Sequence, residues 1–396
     1  MNMSSNYDLV HYFSKSRNHI KNTEKSYHII INQYAKFNGL TMQDLLDEAE
    51  EEEKQKIRWK DRTLKKRLID YRAFLYDKYA YSTAKSRFSR LCSFYQHFEI
   101  EIHNLPKISN INVDKTHMGF KDLPTKEILK KALKISDPLL RAIMLFMSSS
   151  GSARVDTMNL TIQSFINATN NEYISYHNSD DIYDVLSELK DRNDVVPIFE
   201  ITRQKTNKFY YTCCSPEAVT EIVDYLASRT TKLKPESPLF DLGKGKFIDS
   251  FRNINDTLGL GRLSNGNRRF TSHMLRKFHS TMLWNEKVSP DIVDALQGRG
   301  KDQTHSSYFY ENPLKLREIY IEHLNCLTIN ADVSNINFKS EEYIKLENEN
   351  EILREENEKY KQVVESIDER IEMKIQQALA VTEDHLSAEE FDDLFS

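Results

Sequence analysis

Three short stretches of this 396-residue chain, far apart in sequence, carry the side chains best suited to chemistry. They are Gly151-Ser152-Ala153-Arg154, His273-Met274-Leu275-Arg276, and Gln297-Gly298-Arg299 followed nine positions later by Tyr308. Lys205 adds a further cation within the polar run Arg203-Gln204-Lys205-Thr206-Asn207-Lys208. A guanidinium fork matches the oxygens of a phosphate and keeps its charge. A phenolic hydroxyl is a nucleophile, and histidine and lysine can move protons beside it. Arg299 cannot shuttle protons, because a guanidinium stays protonated to above about pH 12. It suits an oxyanion donor only. The set as a whole fits phosphoryl transfer, where positioning and electrostatics supply most of the catalysis. The attacking group would be the protein's own tyrosine.

Each piece has a plainer reading. One H-x-x-R match arises readily by chance in a chain with 12 histidines. Arg154 could pair with nearby Asp156, and a turn lysine is usually only solvated. Tyr310 rivals Tyr308 as nucleophile. The case rests on the joint pattern and on the elements that must carry it.

His273 and Arg276 stand three apart on one face of a helix that Ser272 can cap, with Leu275, Phe278 and Met282 forming the opposing apolar stripe. Arg154 follows an apolar helix expected over 138–147, opened by Asp137-Pro138, and a turn of small residues that lets backbone approach a ligand. Apolar runs at 195–201 and 209–213 flank the turn bearing Lys205, a β-hairpin with a basic tip. Ser215-Pro216, Ser289-Pro290 and Asn312-Pro313 each read as a cap and first-turn proline.

Upstream, 17–98 is helical in pattern: Tyr27, Ile30, Ile31, Tyr34 and Phe37 recur at three- and four-residue steps, as do Leu64, Leu68, Tyr71, Phe74 and Leu75. Basic residues interleave with these stripes, and Lys60, Arg62, Lys65, Lys66, Arg67, Lys85 and Arg87 are candidates for contact with a phosphate backbone. The plainer alternative is a solvated helix face. Residues 103–123 lose the period. Past Thr328 the residues Tyr343, Leu346, Asn350, Leu353, Asn357, Tyr360, Val364, Ile367 and Ile371 alternate steps of three and four, as a coiled coil does. A lone solvated helix is the alternative there. The divisions expected are a tail at 1–16, a helical DNA-binding domain at 17–102, a linker at 103–123, a second domain at 124–328, a linker at 329–338, a coiled coil at 339–380 and an acidic tail at 381–396.

Apolar residues make up 39% of the chain and charged residues 29%, as in soluble globular proteins. No apolar run reaches the roughly 18 residues of a membrane span, and no signal-peptide pattern opens the chain. Cys92, Cys213, Cys214 and Cys326 lack metal-ligand spacing, which points to a reduced cytoplasmic setting. The net charge of -5 conceals a division: residues 335–396 carry -11 and the remainder +6. A mildly basic body permits nucleic-acid binding.

Taken in order and spacing, Ser149-Gly151-Arg154, Lys205 in Ile201-Thr202-Arg203-Gln204-Lys205-Thr206, His273-x-x-Arg276, Gln297-Gly298-Arg299 and Tyr308 resemble the tyrosine recombinase (phage integrase) family. The Gln-Gly-Arg form is similar to archaeal and archaeal-virus members. The resemblance covers most of the chain, with 17–102 as core-binding domain and 124–328 as catalytic domain; the coiled coil is not part of the usual plan. It implies a mainly α fold with a small antiparallel β-sheet: an α-helical core-binding domain plus an α+β catalytic domain, followed by the C-terminal coiled coil. It implies site-specific cutting and rejoining of double-stranded DNA through a 3′-phosphotyrosine, without metal, cofactor or ATP. Tyr308 would be the nucleophile, Arg154 and Arg276 the clamp on the phosphate oxygens, Lys205 the acid for the leaving 5′-oxygen and His273 a proton mover, with Arg299 as a third oxyanion donor. Thr157 departs from the acid that many members place after the first arginine. Four protomers on two duplexes are the implied assembly, and the C-terminal heptads could pair protomers or recruit a host partner. A type IB topoisomerase and a non-catalytic DNA-binding scaffold are the alternatives.

Overall fold

The structure, a computed structural model, describes residues 3–107, 119–263, 266–299, 312–330, 353–354, 357–367, 370–371 and 373–375. The chain divides into two compact units, Met1–Met118 and Gly119–Ser396.

The first unit is a bundle of five described helices: α1 (Met3–Ser16), α2 (Lys21–Asn38), α3 (Met42–Lys54), α4 (Thr63–Lys78) and α5 (Tyr81–His97). The apolar periods place Tyr34, Leu68, Tyr71, Leu75, Leu91, Phe94 and Tyr95 fully inside. Thr41 opens α3 with a reciprocal cap, its hydroxyl accepting from Asp44 N–H while the Asp44 carboxylate accepts from Thr41 N–H at 2.9 Å. Gly39, at φ 70, closes α2. Residues 1–16, expected as a tail, instead contain α1, whose Val10 and Phe13 are completely buried. Phe13 meets Tyr27 and Phe94 at ring separations of 4.6 and 5.0 Å. Exposed Tyr7 and Tyr12 blur the period of the buried anchors, which is why it is hard to read from sequence.

The second unit is built round α7 (Pro138–Ser150), following α6 (Lys126–Lys134). Asp137 Oδ1 accepts from Leu140 N–H at 2.8 Å, Pro138 occupies the first turn, and Gly151 at φ 65 stops the helix. After α8 (Arg154–Met158), α9 (Ile162–Thr169) and α10 (Ile182–Leu189) comes the hairpin β1 (Ile198–Arg203) and β2 (Lys208–Cys213), antiparallel, with Ile201 opposite Tyr210 and Arg203 opposite Lys208. Val195 and Val196 were expected in β1 but pair with no strand; the Val196 carbonyl instead accepts from buried Arg317 Nε at 2.9 Å. Then follow α11 (Pro216–Ser228), α12 (Lys244–Thr257), α13 (Ser272–Asn285), α14 (Pro290–Leu296), α15 (Pro313–Glu322) and α16 (Leu324–Leu327). Helices α11 and α13 pack on α7, and its Phe146 meets Phe199 of β1 at 5.1 Å and Phe240 at 5.6 Å. Ser289 and Asn312 cap as expected, whereas Ser215 makes no side-chain cap. For α13 the cap position is Thr271, and Ser272 is already helical.

The described residues 357–367 are helical, and Leu353, Tyr360, Val364, Ile367 and Ile371 are exposed. The other apolar heptad positions, Tyr343 and Leu346, and the acidic tail 381–396 lie outside the described residues. No described helix is long and apolar enough to cross a membrane.

Phe146 is completely buried in the second core, and truncating a buried phenylalanine costs about 3–5 kcal/mol. Phe146→Ala is expected to lower the urea midpoint of the full chain accordingly, measured by tryptophan fluorescence and circular dichroism.

Candidate active site

Arg276 is the organising side chain. It lies on the first turns of α13 and is 6% exposed. Nη1 donates to the Gly151 carbonyl and Nη2 to the Gln297 carbonyl, both at 2.7 Å. No carboxylate among the described residues pairs with it. Burial first, and then the neighbouring charges of Arg299 and Arg203, draw its pKa down to about 10, so it remains cationic at neutral pH. The sequence suggested a cationic face of α13 opposite its apolar stripe. On that face His273 is exposed, whereas Arg276 is buried, because the two carbonyls give its charge donors something to hold.

The same two bonds gather the other predicted residues. Gly151 O precedes Arg154 by three positions, and Gln297 O precedes Arg299 by two. Arg154, half-buried at the start of α8, makes no hydrogen bond or ion pair among the described residues; its guanidinium lies 5.8 Å from the Phe247 ring. Asp156 does not pair with it. Asp156 Oδ1 accepts from the Gln204 N–H at 3.0 Å, and its Oδ2 is buried without a partner. Arg299 is half-buried and bonds Asp294 at 3.1 Å. His273 keeps an open face to solvent, yet its pKa lies below the ordinary histidine value. The cause is first the crowding on its other side, then Lys277, Arg276 and Arg299. It is therefore mainly neutral at pH 7 and able to accept a proton. Lys205 stands exposed at the hairpin tip with no partner among the described residues. Tyr308 and its rival Tyr310 lie outside the described residues.

His279 and Tyr210 escaped the sequence reading, and Gln297, Gly151 and Gly298 were read as motif members without their contacts. Gln297 Nε2 donates both to the Arg276 carbonyl at 3.1 Å and to His279 Nδ1 at 2.8 Å. With its main-chain carbonyl holding Nη2, Gln297 grips α13 at three points. His279 is fully buried, and burial lowers its pKa to about 3, helped by Arg276 and Arg299. The Gln297 donor fixes its proton on Nε2, which has no partner. A Cβ at Gly151 would lie 2.6 Å from His279 Nδ1 and 2.8 Å from Gln297 Nε2, and φ 65 there disfavours any side chain. Gly298 (φ 59) is pressed equally hard against the Tyr210 ring. Tyr210 is within electrostatic reach of Asp156, Arg276 and Arg203, but it is buried, and burial pushes its hydroxyl up to about 12. It is a wall of the site, not an attacking group. The only sequence signal for His279 and Tyr210 was their nearness to the motifs.

The outlying basic candidates divide. Lys60, Lys66 and Lys85 are exposed and Lys65 half-exposed, without partners among the described residues. Arg62 is bound to Glu53 at 2.7 Å and to the Ile57 carbonyl, and Arg67 makes a two-pronged pair with Glu48 at 2.8 and 2.9 Å. Arg87 donates to Gln33 Oε1 at 2.6 Å and lies 4.1 Å over the Tyr79 ring. No group of three or more described His, Cys, Asp or Glu side chains is arranged to hold a metal ion.

No family model matches the chain. No curated protein matches it either. Among solved structures it is similar to XerA recombinase (16% identity, TM-score 0.32, covering 81% of this chain and 98% of that one). It is also similar to the XerH site-specific recombinase bound to palindromic difH substrate in a post-cleavage complex (15%, 0.47, 77% and 81%). A third is the Tn1549 transposon integrase in complex with circular intermediate DNA (12%, 0.45, 81% and 99%).

Burial of neutral His279 yields a pH effect. Its native pKa is below its unfolded value, so the unfolded state binds more protons and stability falls as pH drops below about 6.5, by about 1.4 kcal/mol per pH unit towards the native value. His279→Leu should flatten this acid limb in urea titrations from pH 7 to 4. A limb of unchanged slope excludes His279 as its source.

Proposed function

We propose that the chain is a tyrosine-type site-specific DNA recombinase. The observation that carries the proposal is the buried Arg276 guanidinium, held by two main-chain carbonyls and by no carboxylate among the described residues, beside Arg299 and neutral His273. A buried cation costs several kcal/mol when its charge is left uncompensated. A phosphate arriving between Arg276 and the free guanidinium of Arg154 supplies the missing negative charge. The anion is then recognised through the charge–geometry match of the two forks.

In the proposed reaction the Tyr308 oxygen forms a bond to phosphorus as the bond from phosphorus to the 5′-oxygen breaks. The tyrosine proton passes to neutral His273 or to water, and the leaving 5′-oxygen takes a proton from Lys205. Arg154, Arg276 and Arg299 hold the non-bridging oxygens as charge builds. The 3′-phosphotyrosine keeps the energy of the broken bond, so attack by another 5′-hydroxyl rejoins the strands. Double-stranded DNA is the substrate, four protomers on two duplexes are the working assembly, and the C-terminal heptads serve to pair protomers.

A pool of nicked duplexes, whose short fragment bearing the freed 5′-hydroxyl diffuses away after cleavage, traps the adduct and lets the bound site be sequenced. Tyr308→Phe is expected to abolish the covalent adduct while DNA binding persists. Survival of the adduct in that variant and its loss in Tyr310→Phe would move the nucleophile to Tyr310. Lys205→Ala should slow cleavage of ordinary DNA at least tenfold more than cleavage of a 5′-thiol substrate, whose leaving group needs no proton. Equal slowing removes Lys205 as the acid.

A further inference from the structure

The hairpin that carries Lys205 is tied down at its root. Arg203, the last residue of β1, donates from Nη1 to the Gly298 carbonyl at 2.6 Å, across 95 residues of sequence. That carbonyl immediately precedes Arg299. On the opposite strand, Tyr210 presses its ring on the same Gly298, whose missing Cβ allows the contact. One residue beyond Arg203, the Gln204 N–H is bound by Asp156, two residues after Arg154. The Arg203 carbonyl meanwhile accepts from Thr206 N–H at 3.3 Å and from Asn207 N–H at 2.8 Å, closing the turn round Lys205. Arg203 thus joins the turn, by its carbonyl, to the loop of the third arginine, by its guanidinium. Arg203 makes this bond without a carboxylate partner among the described residues.

We propose that Arg203 is the positioning residue for Lys205: it holds the hairpin against Gly298 so that the lysine ammonium reaches the leaving oxygen. Exposed turns with an unpartnered tip sample many arrangements, and each lost tether widens that range. A proton donor must come within hydrogen-bond reach of its target, so a displacement of about 1 Å can cost on the order of a hundredfold in rate. Arg203 does not touch the reacting atoms. It acts through Lys205, and this inference rests on the recombinase reading of the site.

The test compares Arg203→Ala, Lys205→Ala and the double variant in the full chain, on the trapped DNA sequence made once with an ordinary 5′-oxygen and once with a bridging 5′-thiol leaving group. Arg203→Ala is expected to cleave the ordinary substrate at least tenfold more slowly and the thiol substrate within about threefold of the unsubstituted protein. The double variant should be no slower than Lys205→Ala alone. Equal slowing of Arg203→Ala on both substrates, or additive losses in the double variant, overturns the inference and leaves Arg203 a structural brace. Should Arg203→Ala fail to fold by circular dichroism, Arg203→Lys, which keeps the charge but loses the fork, is read on the same substrates with the same criteria. If the unsubstituted protein forms no adduct at all, the recombinase reading falls and this inference with it; adduct formation with equal slowing sinks the inference alone.

Discussion

A single buried guanidinium, shared between two main-chain carbonyls 146 sequence positions apart, fixes the architecture of the site. Arg276 reaches Gly151 across 125 residues and Gln297 across 21, so one side chain defines where the ends of α7 and α14 must lie. Charge-assisted hydrogen bonds of this kind contribute about 1.5–3 kcal/mol each, against a comparable or larger cost of desolvating the cation. The balance is close to even. Such an arrangement adds little stability, yet it aims the guanidinium with little freedom, as a preorganised anion site requires.

The rest of the pocket accommodates that charge by limiting how many others compete with it. His273 and His279 are both driven towards their neutral forms by burial and by the surrounding cations. Arg299 has Asp294, and the Asp156 carboxylate, near Arg276 but bonded to the hairpin backbone, offsets part of the excess. The two left-handed glycines do related work at close range. Gly151 admits His279 and Gln297 beneath the arginine loop, and Gly298 admits Tyr210.

Much of this could be read from sequence because it is written in local periods and caps. The apolar helix after Asp137-Pro138, the hairpin around Lys205 and the helix bearing His273 and Arg276 all stand near their expected places. Their failures are physical and specific. Ser272 looked like a cap, but Thr271 holds the extended backbone that a cap position needs. Val195 and Val196 have strand-forming side chains but no partner strand. The burial of Arg276 was not legible, because its amphipathic position says nothing of the two distant loops that meet it. His279 and Tyr210 were missed, and the roles of Arg203 and Gln297 unread, for the same reason: each acts through a contact that no local pattern encodes.

The pairing of Arg62 with Glu53 and of Arg67 with Glu48 carries a consequence for how the helical unit can change over generations. Both acids are partly covered, and both pairs join α3 to the region of α4. Replacing either glutamate would release a cation towards solvent and, by the same stroke, loosen a junction of the bundle. A gain of free positive charge there is yoked to a weaker scaffold, while nearby Lys60, Lys65 and Lys66, without partners among the described residues, can be gained or lost without that penalty. Drift in the unit's surface charge should therefore run through its lysines and leave these two arginines in place.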